Sequence, residues 1–87
     1  MSKQLLKSAT AIGALIREAE IAQSQADFLH KMNIALKEAN ETDYWLNLLK
    51  DGQYLSNQKF TILHSQLDEL LKMLVSSVRT VKKNLGR

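Results

Sequence analysis

The sequence predicts an all-α fold, an antiparallel up-and-down bundle of three long helices forming one domain over residues 1–87. Three observations carry this. The chain has no proline and only Gly13, Gly52 and Gly86 as glycines, which leaves little turn chemistry and favours long helices. Its apolar residues recur at three- and four-residue spacing, the period of an amphipathic helix. The stretches between the periodic segments, near Gln23 and from Gly52 to Ser56, are short, so consecutive helices are antiparallel neighbours. A chain of 87 residues buries a smaller share of its surface than a larger domain does, and oligomerisation is one common remedy.

The first helix is expected over about residues 2–22, with Ser2 as its cap. Leu5, Ala9, Ile12, Ile16 and Ala19 form one apolar stripe, which Leu6, Gly13 and Leu15 widen. Ala9 and Gly13 are small and four apart, which suits the close approach of another helix. The stripe is wide for a helix with a single neighbour.

The second helix is expected over residues 25–50. Ser24 followed by Asp27 resembles a capping box with a short acid. Phe28, Met32, Ala35, Ala39, Leu46 and Leu49 form its main stripe, interrupted by Thr42 and extended by Leu29, Leu36, Trp45 and Leu48. Glu38, Glu41 and Asp43 read as a solvated acidic back, with Lys37 and Glu41 spaced to pair. Gly52 is expected as the C′ residue.

The third helix is expected over residues 57–84 with Ser56 as N-cap. Phe60, Leu63, Leu67, Leu70, Leu74, Val78, Val81 and Leu85 keep a three/four alternation suited to shallow helix crossing. Ile62, Leu71 and Val75 flank it.

Composition excludes several classes. There is no cysteine, so disulfides, thiolate catalysis and cysteine-ligated metals are out. No apolar run reaches the roughly 20 residues of a membrane span, and the N-terminus lacks the pattern of a signal peptide. A cytoplasmic location is therefore expected. The net charge is +3 and uneven. Residues 24–52 carry three lysines against five acids, a net −2, while residues 53–87 carry six bases against Asp68 and Glu69, a net +4.

An ordered set of segments carries a family resemblance: QLLKSATAIGALIREA at Gln4–Ala19, the Ser24–Phe28 turn, IALKEANETDYWLNLL at Ile34–Leu49 and LDELLKMLVSSVRTVKKN at Leu67–Asn84. Together they resemble the four-helix-bundle family of the 23S rRNA intervening-sequence proteins. The resemblance implies a left-handed antiparallel bundle that assembles into a ring, with pentamers known. The similar accessory proteins of diversity-generating retroelements bind nucleic acid through basic ring surfaces. No catalytic residues are described for the family, so none carry over. Members usually have one more helix before the QLLKS segment, whereas Met1 stands just before it here. The chain thus reads as truncated or misassigned at its start, or as a member working with three helices. Leu15 replaces an Asn common in the family.

Candidate sites follow. Arg79, Lys82 and Lys83 lie within about a turn of each other and are the leading candidates for RNA or DNA contact, with Lys3 and Lys7 as a second patch. The same cations also complement a helix C-terminus. Ala9, Ile12, Gly13, Leu15, Ile16 and Trp45 are candidates for oligomer or helix packing. A di-iron bundle needs Glu-x-x-His on two helices, and only Asp27-x-x-His30 is present, so no metal or cofactor is expected. His64 reads as an ordinary helix residue. No catalytic set or small-molecule substrate is indicated. A non-enzymatic, self-assembling helical protein that contacts RNA or DNA backbone through its basic patches is expected; the alternative is a structural or protein-interaction module whose apolar groove accepts a partner helix, without nucleic acid.

Overall fold

The computed structural model describes residues 3–86, so the expected Ser2 cap lies outside the described residues. Three α-helices follow in order: α1 (Lys3–Glu20), α2 (Gln25–Asp51) and α3 (Asn57–Asn84). The chain is all-α, as the periodicity predicts, and α3 has the bounds expected of it.

Both inner starts are capped by serine. Ser24 takes extended backbone and its hydroxyl oxygen accepts the Asp27 N–H at 3.0 Å. Ser56 does the same for the Lys59 N–H at 3.2 Å. Each cap satisfies one amide that the first helical turn leaves unpaired. α1 ends at Glu20, two residues before the expected boundary, and Ile21 is exposed. Ser24 must be extended to cap α2, so the chain has to leave α1 early enough to turn.

The end of α2 corrects one expectation. The helix continues through Asp51, so Gly52 becomes the C-cap with a φ of −80°, and the left-handed position falls on Gln53 with a φ of 63°. Gln53 N–H then reaches Lys50 O at 3.0 Å and Tyr54 N–H reaches Leu49 O at 2.9 Å, the paired bonds of a Schellman turn. α3 ends with glycine in that position: Gly86 has a φ of 74° and donates to Lys83 O at 3.1 Å.

Cross-helix partners establish the topology. Ser8 meets Glu38 and Lys31 meets Glu18, so α1 and α2 run antiparallel. Asp43 meets His64 and Lys50 sits over Phe60, so α2 and α3 are antiparallel as well. The molecule measures 45 × 20 × 15 Å. α2 is the central helix. Both other helices lie on it, and no Cα of α1 comes within 8 Å of a Cα of α3. Ala35 and Ala39 are fully buried on α2, where small side chains let two helices approach one.

The core unites Leu5, Ile12 and Ala19 of α1 with Met32, Ala35, Ala39 and Leu46 of α2 and Leu67, Leu74 and Val78 of α3. Two polar residues join it. Ser8 and Thr42 are buried, and both hydroxyls donate to the main-chain carbonyl of Glu38, at 3.1 and 2.9 Å. The break that Thr42 makes in the stripe is therefore hydrogen-bonded, as a buried polar group must be.

Candidate interaction surfaces

Between α1 and α3 the bundle is open. Leu5, Ala9 and Ile12 form one wall of the groove, Leu63, Leu67 and Leu70 the other, and Thr42 and Leu46 the floor, around a hollow of about 210 Å³. Leu6 and Ile62, next to these walls in the chain, are exposed, and so is Met73, one turn beyond Leu70. The wide stripe of α1 has this origin. One part of it meets α2, Leu5, Ala9 and Ile12 also line the groove, and Leu6 and Gly13 are exposed outside it.

The six packing candidates separate accordingly. Ile12 is buried, and Leu15 and Ile16 pack on the core as half-buried side chains. Ala9 and Gly13 are exposed. A Cβ built on Gly13 meets nothing within 4 Å, so no helix of this chain uses the close approach that Ala9 and Gly13 permit. Trp45 packs against the core from α2, edge-on to Tyr44 with centroids 5.1 Å apart.

The basic candidates lie in two separate patches. Lys3 and Lys7 flank Leu5, which lines a hollow with Leu49 and Leu63 at the α2–α3 turn. Arg79, Lys82 and Lys83 lie at the far end of α3, where neighbouring Val81 lines a hollow with Ala19 and Phe28. All five cations are exposed, and none is among the ion pairs of the described residues. Arg79, Lys82 and Lys83 border a shallow cleft of about 440 Å³ with Leu36, Val75 and Val78. Leu36, expected only as a flank of the α2 stripe, lines this cleft with Val75, which stands 39 positions away.

The ion pairs differ from those expected. Glu18 pairs with Lys31 across α1 and α2 at 3.3 Å, and Lys37 does not pair with Glu41. His64 sits 3.3 Å from Asp43 and stacks on Phe60 with centroids 5.2 Å apart, so it ties α3 to α2. Two apolar residues are exposed on the back of α2: Leu48, expected to extend the apolar stripe, lies on the opposite face from the buried Ala39 and Leu46, and Tyr44 stands beside it. Tyr44 is 59% exposed and Leu48 48%. Among the described residues, no three His, Asp or Glu side chains are grouped so as to hold a metal, and no helix is long and apolar enough to cross a membrane.

Fold and surfaces together define an elongated antiparallel helical bundle with an apolar groove between α1 and α3. A family model described as 23S rRNA-intervening sequence protein matches residues 1–76, and the chain belongs to that family. A crystal structure of a protein of unknown function from the S23 ribosomal protein family of Bacteroides thetaiotaomicron superposes with a TM-score of 0.85. The two are 53% identical, and the match covers 87% of this chain and 70% of that one. No curated protein matches.

Proposed function

We propose that this chain is a non-enzymatic, self-assembling helical protein whose groove between α1 and α3 is closed by a helix of a second copy. One observation carries the reading: α1 and α3 both lie on α2 without approaching each other, and a hollow with apolar walls runs between them. Ala9 on its rim is exposed, Leu63 and Leu70 are half-buried, and the exposed Leu6, Ile62 and Met73 stand beside it; clustered exposed apolar side chains mark protein contacts. A small bundle also gains most from burying it, since its own core is limited. The test is native mass by light scattering coupled to size exclusion. The wild-type chain is expected at a multiple of 9.9 kDa, and Leu70→Lys, at a half-buried groove position, is expected to keep its helices and associate more weakly. A wild-type monomer at the highest attainable concentration overturns the reading.

A second reading, contact with RNA or DNA phosphates, is favoured by the exposed, unpaired Arg79, Lys82 and Lys83. Such binding is backbone-driven, weakly sequence-specific and salt-sensitive. Replacing all three by Gln is expected to abolish RNA retention at low salt, and unchanged retention removes the patch from consideration.

A further inference from the structure

The chain carries two surfaces outside the groove that complement each other in both polarity and charge. The first is the cleft between α2 and α3. Its apolar part is Leu36, Val78 and Val75, the last 42% exposed, and its rim is Arg79, Lys82 and Lys83. Val75 stands about 140° around α3 from the groove residue Leu70, so cleft and groove are separate. The second is the back of α2. Glu41, Tyr44, Leu48 and Asp51 are all exposed, and their spacing of three, four and three residues places them on one helical face. Two exposed apolar side chains are thus bracketed by two carboxylates. Lys37 lies one turn beyond Glu41 and is the one cation in line with this ridge.

We propose that the cleft of one copy receives the Glu41–Asp51 ridge of a second copy. The inference rests on the self-assembly reading and names a further interface for it. The occupant follows from the chemistry. A phosphate backbone matches the cations but leaves Leu36 and Val75 facing water, and the cleft has no aromatic ring on which a base can stack. An acidic ridge with Tyr44 and Leu48 at its centre answers both the apolar floor and the basic rim. Desolvated apolar contact then supplies affinity, and the opposed charges set register and exclude the wrong face. Because the two surfaces differ, the contact is heterologous. It repeats from copy to copy, closing into a ring or continuing as an open array according to its rotation.

The test compares native masses and the association constants derived from them. Lys82→Glu with Lys83→Glu reverses the rim, and Glu41→Lys with Asp51→Lys reverses the ridge. Each double variant alone is expected to associate at least tenfold more weakly than wild type. A one-to-one mixture is expected to associate more tightly than either variant alone, because each variant's altered surface now matches the other's. Tyr44→Ser with Leu48→Ser leaves the charges untouched, alters only exposed positions and is expected to weaken association similarly. Circular dichroism confirms that every variant keeps its helices. If wild type is monomeric, the self-assembly reading falls and this interface with it. If wild type and the charge-reversed variants share one mass while Leu70→Lys associates more weakly, self-assembly stands and this interface is overturned. Loss of RNA retention in Lys82→Glu/Lys83→Glu with mass unchanged assigns the cluster to phosphate and also overturns it.

Discussion

The Ser8 hydroxyl of α1 donates to the main-chain carbonyl of Glu38 on α2 at 3.1 Å, inside the helix interface, where Ser8 is 4% exposed. Thr42 donates to the same oxygen from one turn further along α2, at 2.9 Å. Two buried hydroxyls thus share one acceptor, and this links the register of α1 to a particular turn of α2.

That sharing predicts coupling. Ser8→Ala is expected to cost about 1 kcal/mol, the usual worth of a neutral hydrogen bond. Thr42→Ala costs a similar amount. The double variant is expected to exceed their sum by about 0.5 kcal/mol, because the loss of the first hydroxyl is covered by the second. Urea unfolding of the three variants measures this, and strict additivity would show that the shared acceptor has no energetic meaning.

Burial depth predicts a contrast within α3. Leu74 is 0% exposed at the centre of the core, so Leu74→Ala removes apolar burial and leaves a cavity, at about 2–4 kcal/mol. Leu70 lines the open groove. Leu70→Ala opens no closed cavity there and is expected to cost about 1 kcal/mol in the monomer. Equal losses in thermal or urea unfolding would mean that the groove is closed.

The left-handed backbone at Gln53 predicts a stabilising change. A side chain in that region costs about 1 kcal/mol relative to glycine, and Gln53 is exposed, so its side chain is dispensable. Gln53→Gly is expected to raise the unfolding midpoint by the equivalent of about 1 kcal/mol. A lower midpoint contradicts the observed turn.

The two serine caps predict additive losses. Ser24→Ala and Ser56→Ala each remove one side-chain acceptor of a first-turn amide and are expected to cost about 1 kcal/mol apiece. The sites share no partner, so the double variant should lose the sum, as read by urea midpoints.

Much of this architecture is legible in the residues. The caps at Ser24 and Ser56 depend only on a short acceptor before an apolar period, and both are read correctly. So are the bounds of α3. The end of α2 is misread by a single residue because Asp51 stays helical, and that moves the left-handed position from Gly52 to Gln53. The candidate surfaces are less legible. Arg79, Lys82 and Lys83 stand out as a charge cluster, yet their apolar floor includes Leu36 from another helix. Ser8 sits on the α1 stripe between Leu5 and Ile12, and a polar residue in that place was the available signal for its burial.

The sequence by itself determined helix number, type and polarity, because these rest on local period, capping and turn length. Tertiary structure alone decided which helices meet. Periodicity gives each helix an apolar face but not the identity of what covers it. α2 takes both neighbours because Ala35 and Ala39 admit close approach, while α1 and α3 remain apart with the groove between them. Which apolar side chains face water is likewise a property of that arrangement. Leu48 and Val75 are as apolar as their buried neighbours, and with Tyr44 they are exposed because no described helix of this chain reaches them.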